Sequence, residues 1–222
     1  MSLNRASRYL ISTISDSPRT VFENIETFDS YEFGGLHFDV MDGVFVPRLG
    51  LHPELLREIR NGTDMFIEVH AMLHDPTPYF KVLAESGANR IIVHLESSSN
   101  ISMMLRELRQ INVELSLALN PNSPLDLLIP YIEDIHTVML MAINPGIPKH
   151  PFIESTFDKI SKLKSLVLDK NPDVKIGIDG GVTFSNHLQL LAAGADYLIC
   201  GSGTIFNQNS SVVENIEKLL KL

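Results

Sequence analysis

Four polar residues interrupt apolar runs of this 222-residue sequence, and their side chains could bind a metal ion. His37 and Asp39 are two residues apart in Leu-His-Phe-Asp-Val-Met-Asp-Gly, so in a strand both would point to the same side. His70 occurs in Ile-Glu-Val-His-Ala-Met, and Asp179 in Lys-Ile-Gly-Ile-Asp-Gly-Gly. Two imidazoles and two carboxylates suit zinc, iron(II), cobalt or manganese, and the carboxylates could also act as acid and base. The alternative is that they are hydrogen-bonded core groups, and His94 is open to either interpretation.

Glycine-rich turns form a second group of candidate functional residues. They are Asn144-Pro-Gly146, Asp179-Gly-Gly181 and Cys200-Gly-Ser-Gly203. Backbone N–H groups in such turns, with a helix N-terminus beside them, can hold a phosphate, and glycine lets the backbone approach it closely. The turns could also serve only to end strands, which explains one of them more easily than two adjacent ones.

The elements that would position these residues alternate regularly along the chain. Short apolar runs predict strands at Arg8–Ser12, Gly35–Met41, Met65–Leu73, Arg90–Glu96, Val113–Leu119, Thr137–Ile143, Lys175–Gly181 and Tyr197–Ser202. Segments of helical period predict helices at Pro18–Thr27, Pro53–Arg60, Pro76–Ser86, Asn100–Gln110, Pro124–Ile132, Ser155–Leu168, Phe184–Ala193 and Ser211–Leu220.

This alternation favours a single-domain (β/α)8 TIM barrel over residues 1–222. Continuously apolar strands are typical of a parallel sheet that helices cover on the outside. Eight strand–helix units are the number that closes a barrel, whose catalytic residues lie at the carboxyl ends of the strands. An open doubly wound sheet would give a similar pattern, but its Gly-x-Gly-x-x-Gly signature does not follow the first strand.

The composition narrows the classes of function. With 18 basic and 27 acidic residues the net charge is −9, which argues against nucleic acid or an anionic membrane as partner. A single cysteine excludes an internal disulfide framework and a cysteine-rich zinc site. Neither a membrane-spanning run nor a signal peptide is recognisable, so we expect a cytoplasmic protein acting on a small molecule.

Several motifs together resemble the ribulose-phosphate 3-epimerase family, in that family's order and spacing. The likeness runs from about Tyr9 to Phe206. The motifs are His37-Phe-Asp-Val-Met-Asp-Gly-Val-Phe-Val-Pro47, Val69-His-Ala-Met72, Asn120-Pro, Asn144-Pro-Gly146, Asp179-Gly-Gly181 and Ala193-Gly-Ala-Asp-Tyr-Leu-Ile-Cys-Gly-Ser202. The resemblance implies a barrel of the ribulose-phosphate-binding type that interconverts D-ribulose 5-phosphate and D-xylulose 5-phosphate.

The resemblance also implies roles for individual residues. One divalent metal, with zinc expected first and iron, cobalt or manganese as alternatives, would be held by His37, Asp39, His70 and Asp179. Asp39 and Asp179 would be the acid–base pair that acts through an enediolate. The implied substrate-binding residues are Ser12, Met41, Met72, Met141, Gly146, Gly180, Gly181, Gly201 and Ser202. For the three methionines, ordinary core packing is the alternative.

The chain departs from the family pattern in two loops. Val44 and Arg48 stand where histidine and asparagine are usual, and His52 stands where glycine is common. The family's Pro-Gly-Phe-Gly-Gly-Gln loop is replaced here by Pro145-Gly-Ile-Pro-Lys-His150, which removes two glycines and a glutamine. Lys149, His150 or Arg48 could supply charge in place of the lost donors; otherwise the substrate differs, or these are solvated surface charges.

Other functions remain open at this point. One is 3-epimerisation of a different phosphosugar, such as a hexulose 6-phosphate, and another is a catalytically silent sugar-phosphate-binding barrel. A decarboxylase or aldolase would need a lysine at the reacting centre, and the predicted strand ends contain none. A homo-oligomer is also open, with Tyr31, Phe33, Met103 and Met104 as candidate interface residues and core packing as their alternative.

Overall fold

Eight parallel strands close into a barrel in the computed structural model of the chain, which describes residues 5–15, 17–97, 100–147 and 150–221. Each strand pairs with the next in sequence, and β8 pairs with β1. The strands are β1 Tyr9–Ser12, β2 Gly35–Met41, β3 Ile67–Met72, β4 Arg90–His94, β5 Glu114–Leu119, β6 Thr137–Met141, β7 Lys175–Asp179 and β8 Tyr197–Cys200. The predicted TIM barrel is confirmed.

Helices cover the outside of this barrel. The α-helices of the described residues are α1 Pro18–Ser30, α2 Pro53–Asn61, α3 Phe80–Glu85, α4 Ile101–Leu108, α5 Thr156–Lys170, α6 His187–Ala193 and α7 Val212–Lys221. The helix predicted at Pro124–Ile132 is wrong, because that segment forms two short 3₁₀ turns, Leu125–Leu128 and Ile132–Asp134. Pro130 lies between them and cannot donate the hydrogen bond that a continuous helix needs there.

Several predicted strands also end too late. Predicted ends at Glu96, Ile143, Gly181 and Ser202 move back to His94, Met141, Asp179 and Cys200. The residues released from β7 and β8 are glycines and a serine, which form loops at the mouth of the barrel. After β8 the chain makes turns, with the N–H groups of Thr204 and Phe206 donating to the carbonyl of Gly201. The helix predicted at Ser211–Leu220 is observed at Val212–Lys221, so it does not directly follow this turn.

Strand β2 shows how the alternation divides the core into two layers. Leu36, Phe38 and Val40 belong to the large apolar cluster between strands and helices. His37 and Asp39 alternate with them and therefore point into the barrel. The apolar interior positions form a separate inner cluster of Leu10, Ile92, Ala118, Met139, Met141, Tyr197 and Ile199. Polar groups that are buried inside the barrel need hydrogen-bond partners there.

A buried charged network lies below the site, deeper in the barrel. Glu68 Oε2 accepts hydrogen bonds from Arg90 Nη1 at 2.8 Å and from the Tyr197 hydroxyl at 2.6 Å. Arg90 also donates to Glu114, through Nε at 2.8 Å. The network gives Glu68, which is fully buried, the cation and donors that its charge requires.

The surface residues considered for an interface separate into two groups. Phe33 and Met104 are buried in the core, which agrees with the core-packing alternative and excludes them as interface candidates. Tyr31 is partly buried against the same core, and Met103 is exposed.

No helix in the described part of the chain combines the length and hydropathy that crossing a membrane would require.

Candidate active site

Strand register brings the four predicted metal-binding residues to one level of the barrel. Asp39 on β2 is the register partner of His70 on β3, and Ser12 on β1 is the partner of His37. Asp179, the last residue of β7, is paired with Met141. All the side chains therefore meet at the carboxyl ends of their strands, where catalytic groups of such barrels lie.

The distances within this group suit a bound divalent ion. His37 Nε2 lies 3.3 Å from Asp39 Oδ1 and 3.7 Å from Asp179 Oδ2. His70 Nδ1 lies 3.5 Å and 3.4 Å from the same two oxygens. Four ligands bound tetrahedrally at about 2.1 Å are about 3.4 Å apart, so the spacing matches.

Two ring nitrogens without hydrogen-bond partners support a metal site independently of these distances. His37 Nε2 and His70 Nδ1 are buried and have no hydrogen-bond partner in the described structure. An unpaired buried polar atom is costly, whereas a lone pair directed at a metal is satisfied. The four residues therefore fit a metal centre, and the donor set of two nitrogens and two carboxylates suits zinc or another first-row ion.

Glu68 orients one of these candidate ligands. The His37 Nδ1–H donates to Glu68 Oε1 at 2.8 Å, which leaves the Nε2 lone pair facing the two aspartates. Burial would raise the pKa of Glu68, but hydrogen bonds from His37 and Tyr197 and the charge of Arg90 lower it from 4.5 to about 2. Glu68 is thus ionised at neutral pH and holds the His37 ring in the orientation that a metal ligand would need.

Asp39 is held as a carboxylate. Burial opposes the charge of Asp39, but the adjacent His37 and His70 imidazoles lower the pKa of Asp39 below its usual value. In the absence of an ion the same contacts, against burial, raise the pKa values of both imidazoles. A cation between these groups would replace the protons, so metal binding and proton binding compete here.

The open face of the site is a cavity of about 300 Å³. Asp39 and Asp179 reach it, whereas the two histidines lie behind them and are fully buried. Every residue expected to bind substrate lines this cavity: Ser12, Met41, Met72, Met141, Gly146, Gly180, Gly181, Gly201 and Ser202. Burial of the three methionines gives the aspartates an apolar surround, in which charge interactions are stronger than in water.

One wall of the cavity presents unused backbone donors. The N–H groups of Gly180, Gly181, Ser202 and Gly203 have no acceptor within the described residues. Gly180 and Gly181 have φ angles of 91° and 67°, a region that other residues rarely adopt. Free N–H groups in the turns after strands β7 and β8, on residues that line one cavity, are a suitable cradle for a phosphate.

The residues that depart from the family pattern lie in different places, some at the cavity and some away from it. Arg48 and His150 line the cavity, while Val44 is 72% exposed and is not among the lining residues. His52 is the N-cap residue before helix α2, and its ring accepts a hydrogen bond from the Leu55 N–H, so it has a capping role. Lys149 lies outside the described residues.

Sequence reasoning missed several supporting residues. Asp42 lies in the motif that resembles the family, but the sequence did not indicate its role. Its carboxylate accepts hydrogen bonds from the N–H groups of Val44, Phe45 and His74 and so fixes the loop after β2. Ser15, which donates to Ser12 Oγ at 2.9 Å, lines the cavity too. The Asp42-Gly43 pair predicts a turn. The contact of Asp42 with the N–H of His74 could not be predicted in this way, because His74 lies in another loop.

We expect Glu68 to make the metal-free protein sensitive to acid. Its pKa is depressed, so its stabilising effect is complete above its ordinary pKa of 4.5 and is lost as the pH falls towards about 2. Between pH 5 and pH 3 the free energy of unfolding should fall by about 2 kcal/mol more in the wild type than in Glu68→Gln. Denaturant titrations at both pH values measure this difference, and equal losses would contradict it.

Comparison with known proteins agrees with this geometry. Residues 10–206 match the model of the family described as "Ribulose-phosphate 3 epimerase family". The chain belongs to the ribulose-phosphate 3-epimerase family. It is therefore an isomerase, and the resemblance in its motifs is confirmed over nearly the whole barrel.

Individual members of this epimerase family are about one-third identical to the chain. The ribulose-phosphate 3-epimerase of Aquifex aeolicus is 34% identical over 168 residues, which cover 76% of each protein. The chloroplastic ribulose-5-phosphate-3-epimerase of Arabidopsis thaliana is 32% identical over 208 residues, covering 90% of this chain and 74% of the relative.

Solved structures with lower sequence identity share the fold. A mutant tryptophan synthase alpha-subunit from Pyrococcus furiosus superposes with a TM-score of 0.71 at 15% identity, over 96% of this chain and 97% of the other. Phosphoribosyl anthranilate isomerase from Thermus thermophilus gives 0.69 at 15% identity, over 96% of each chain. At this identity the likeness concerns the barrel alone.

Proposed function

We propose that the protein is a metal-dependent 3-epimerase of a ketose phosphate, with D-ribulose 5-phosphate and D-xylulose 5-phosphate as the substrate pair. The observation that carries this proposal is the placement of Asp39 and Asp179. Their carboxylates approach the same two imidazole nitrogens, yet they come from strands β2 and β7, which β1 and β8 separate in the barrel. Relatives named for this reaction support the choice of substrate.

Two carboxylates placed in this way can invert a carbon next to a carbonyl. One removes the C3 proton from one face of the sugar, which leaves a planar enediolate. The other aspartate, which is protonated at the start, donates its proton from the opposite face. The configuration at C3 is reversed, the two carboxyl groups have exchanged protonation states, and no net proton is consumed. In the reverse direction Asp39 and Asp179 exchange roles.

The remaining groups bind and orient the substrate. A divalent ion held by His37, Asp39, His70 and Asp179 would stabilise negative charge developing on the substrate oxygens. The methionine side chains exclude water from the plane of reaction. The free N–H groups of Gly181, Ser202 and Gly203 would hold the phosphate, which explains how a chain of net charge −9 binds an anion.

A second candidate is 3-epimerisation of a different phosphosugar, such as a hexulose 6-phosphate. The observation that favours it is the altered lining of the cavity, to which Arg48 and His150 contribute. A silent binding barrel is disfavoured because buried charged groups without a ligand are costly to retain. A lysine-dependent aldolase or decarboxylase lacks support, because no lysine occurs among the described lining residues.

We expect Arg48 to hold the substrate phosphate together with the glycine cradle. Its side chain is half-buried at the cavity and forms no ion pair with the described carboxylates. A charge-assisted hydrogen bond contributes about 1.5–3 kcal/mol, so Arg48→Ala should raise KM about 10- to 100-fold while kcat changes less. Steady-state assays measure this, with the exposed Arg106→Ala as the matched control. An unchanged KM would show Arg48 to be a solvated surface charge.

A panel of ketose phosphates tests the proposed function. Purified protein loaded with zinc is assayed for 3-epimerisation of pentulose 5-phosphates and hexulose 6-phosphates, each beside its non-phosphorylated sugar. The highest kcat/KM is expected for D-ribulose 5-phosphate. A higher value for a hexulose 6-phosphate would establish the second candidate, and no turnover of any sugar would reject both.

A further inference from the structure

We propose that His94 and Glu96 are positioning residues of the metal centre, and that Glu96 determines which ring nitrogen of His70 faces the ion. Neither residue lines the substrate cavity, and neither belongs to the four metal-binding candidates. The inference rests on the metal-dependent function proposed above. The inference explains how the protein keeps His70 in the single tautomer whose Nδ1 lone pair can bind the ion.

A hydrogen-bonded chain leads away from the site through His70. The Nε2 atoms of His70 and His94 are 2.9 Å apart, and the planes of the two rings differ by only 16°. On its other side, His94 Nδ1 lies 3.2 Å from Glu96 Oε2. Both rings are fully buried, so the polar atoms along this chain depend on one another for partners.

The order of protons along the chain follows from its carboxylate end. A carboxylate only accepts, so His94 Nδ1 carries the proton that is donated to Glu96. His94 Nε2 can then accept, and His70 Nε2–H donates to it. This leaves the lone pair of His70 on Nδ1, the atom that lies 3.5 Å and 3.4 Å from Asp39 and Asp179. The opposite order would place a proton where the metal must bind.

Glu96 is itself held by groups that fix its orientation. Its Oε1 accepts from the backbone N–H of Asn120 at 2.9 Å and from the Ser123 hydroxyl. The loop carrying these donors is held by Lys159 of α5, whose Nζ donates to the carbonyls of Asn120, Pro121 and Ser123 at 2.8, 2.9 and 2.8 Å. One oxygen is therefore committed to this loop, and the other faces His94.

This geometry gives Glu96→Gln a specific effect. The Asn120 N–H still needs an acceptor, so the glutamine carbonyl stays at the Oε1 position and its NH₂ group faces His94 Nδ1. That nitrogen must then accept, which moves the His94 proton to Nε2 and makes His70 Nε2 an acceptor. His70 Nδ1 becomes protonated and loses the lone pair that binds the ion. Glutamine is nearly the same size as glutamate, yet it reverses the tautomers of both His94 and His70.

Metal affinity and histidine tautomers test the proposal together. Competition of the whole protein with a chromophoric chelator for Zn²⁺ and Co²⁺ should give a Kd about 10- to 100-fold higher for Glu96→Gln than for the wild type. The exposed Glu85→Gln is the control, and its Kd should equal that of the wild type. Thermal unfolding of the metal-free proteins shows whether Glu96→Gln is folded.

Nitrogen NMR of the ¹⁵N-histidine-labelled, zinc-loaded wild type keeps the test independent of any variant. We expect a proton on His94 Nδ1 and on His70 Nε2, with none on His94 Nε2. The opposite tautomer of His94, or an unchanged Kd in folded Glu96→Gln, would overturn this inference and leave the proposed function standing. A wild type that binds neither ion would overturn the proposed metal dependence as well.

Discussion

Replacing Asp179 by asparagine is expected to lower kcat for epimerisation by about 10³- to 10⁴-fold, because one of the two proton-transferring groups is lost. The asparagine oxygen can still contact a metal, and the side chain has nearly the same volume. The fold should survive, because Asp179 lies at the end of β7, partly exposed to the cavity. Steady-state kinetics at saturating zinc, with bound metal determined in the same samples, measure the effect.

Asp173 offers a matched control for this substitution. It is exposed and precedes the same strand β7 at the opposite end of the barrel. Asp173→Asn should therefore retain the wild-type kcat. An Asp179→Asn enzyme within tenfold of the wild type would show that Asp179 transfers no proton in the reaction.

Removal of a divalent ion from the proposed metal centre is expected to abolish activity to a similar degree. An ion at this site would contribute several kcal/mol of charge stabilisation, so exhaustive chelation should lower kcat by about 10³-fold or more. Adding back zinc, iron(II), cobalt or manganese should restore activity, and the relative values identify the preferred ion. Elemental analysis before and after chelation measures occupancy.

Two histidine variants test whether the metal acts at the proposed site or elsewhere on the protein. His37→Gln removes a fully buried candidate ligand, whereas His52→Gln changes an exposed residue at the start of α2. Only the first should weaken metal binding and remain inactive at zinc concentrations that restore the chelated wild type. Full activity in metal-free wild type would contradict the metal dependence.

Much of the site could be predicted because polar residues within apolar strands are conspicuous. His37 and Asp39 alternate with Leu36, Phe38 and Val40, and this period of two already places them inside a barrel. The glycines after β7 and β8 were recognisable for the same local reason. Local pattern failed at Pro124–Ile132, where apolar spacing suggested a helix and Pro130 interrupts it.

The groups that support the ligands could not be predicted because they depend on register between strands. His37 is the register partner of Glu68, which lies only two residues before His70 and looks from the sequence like one more core polar group. The contact between His94 and His70 likewise requires the stagger of β3 against β4. Apolar periodicity predicts which strands exist and which side faces inward, but it leaves this stagger undetermined.

Solvent hydrogen exchange at C3 tests the central claim most directly. The zinc-loaded protein is incubated with D-ribulose 5-phosphate or a hexulose 6-phosphate in D₂O, and NMR follows deuterium at each carbon. Proton transfer by Asp39 and Asp179 predicts deuterium at C3 of the epimerised sugar, at no other carbon, and none after chelation. Absence of C3 deuterium from every ketose phosphate, with zinc bound, would contradict the account.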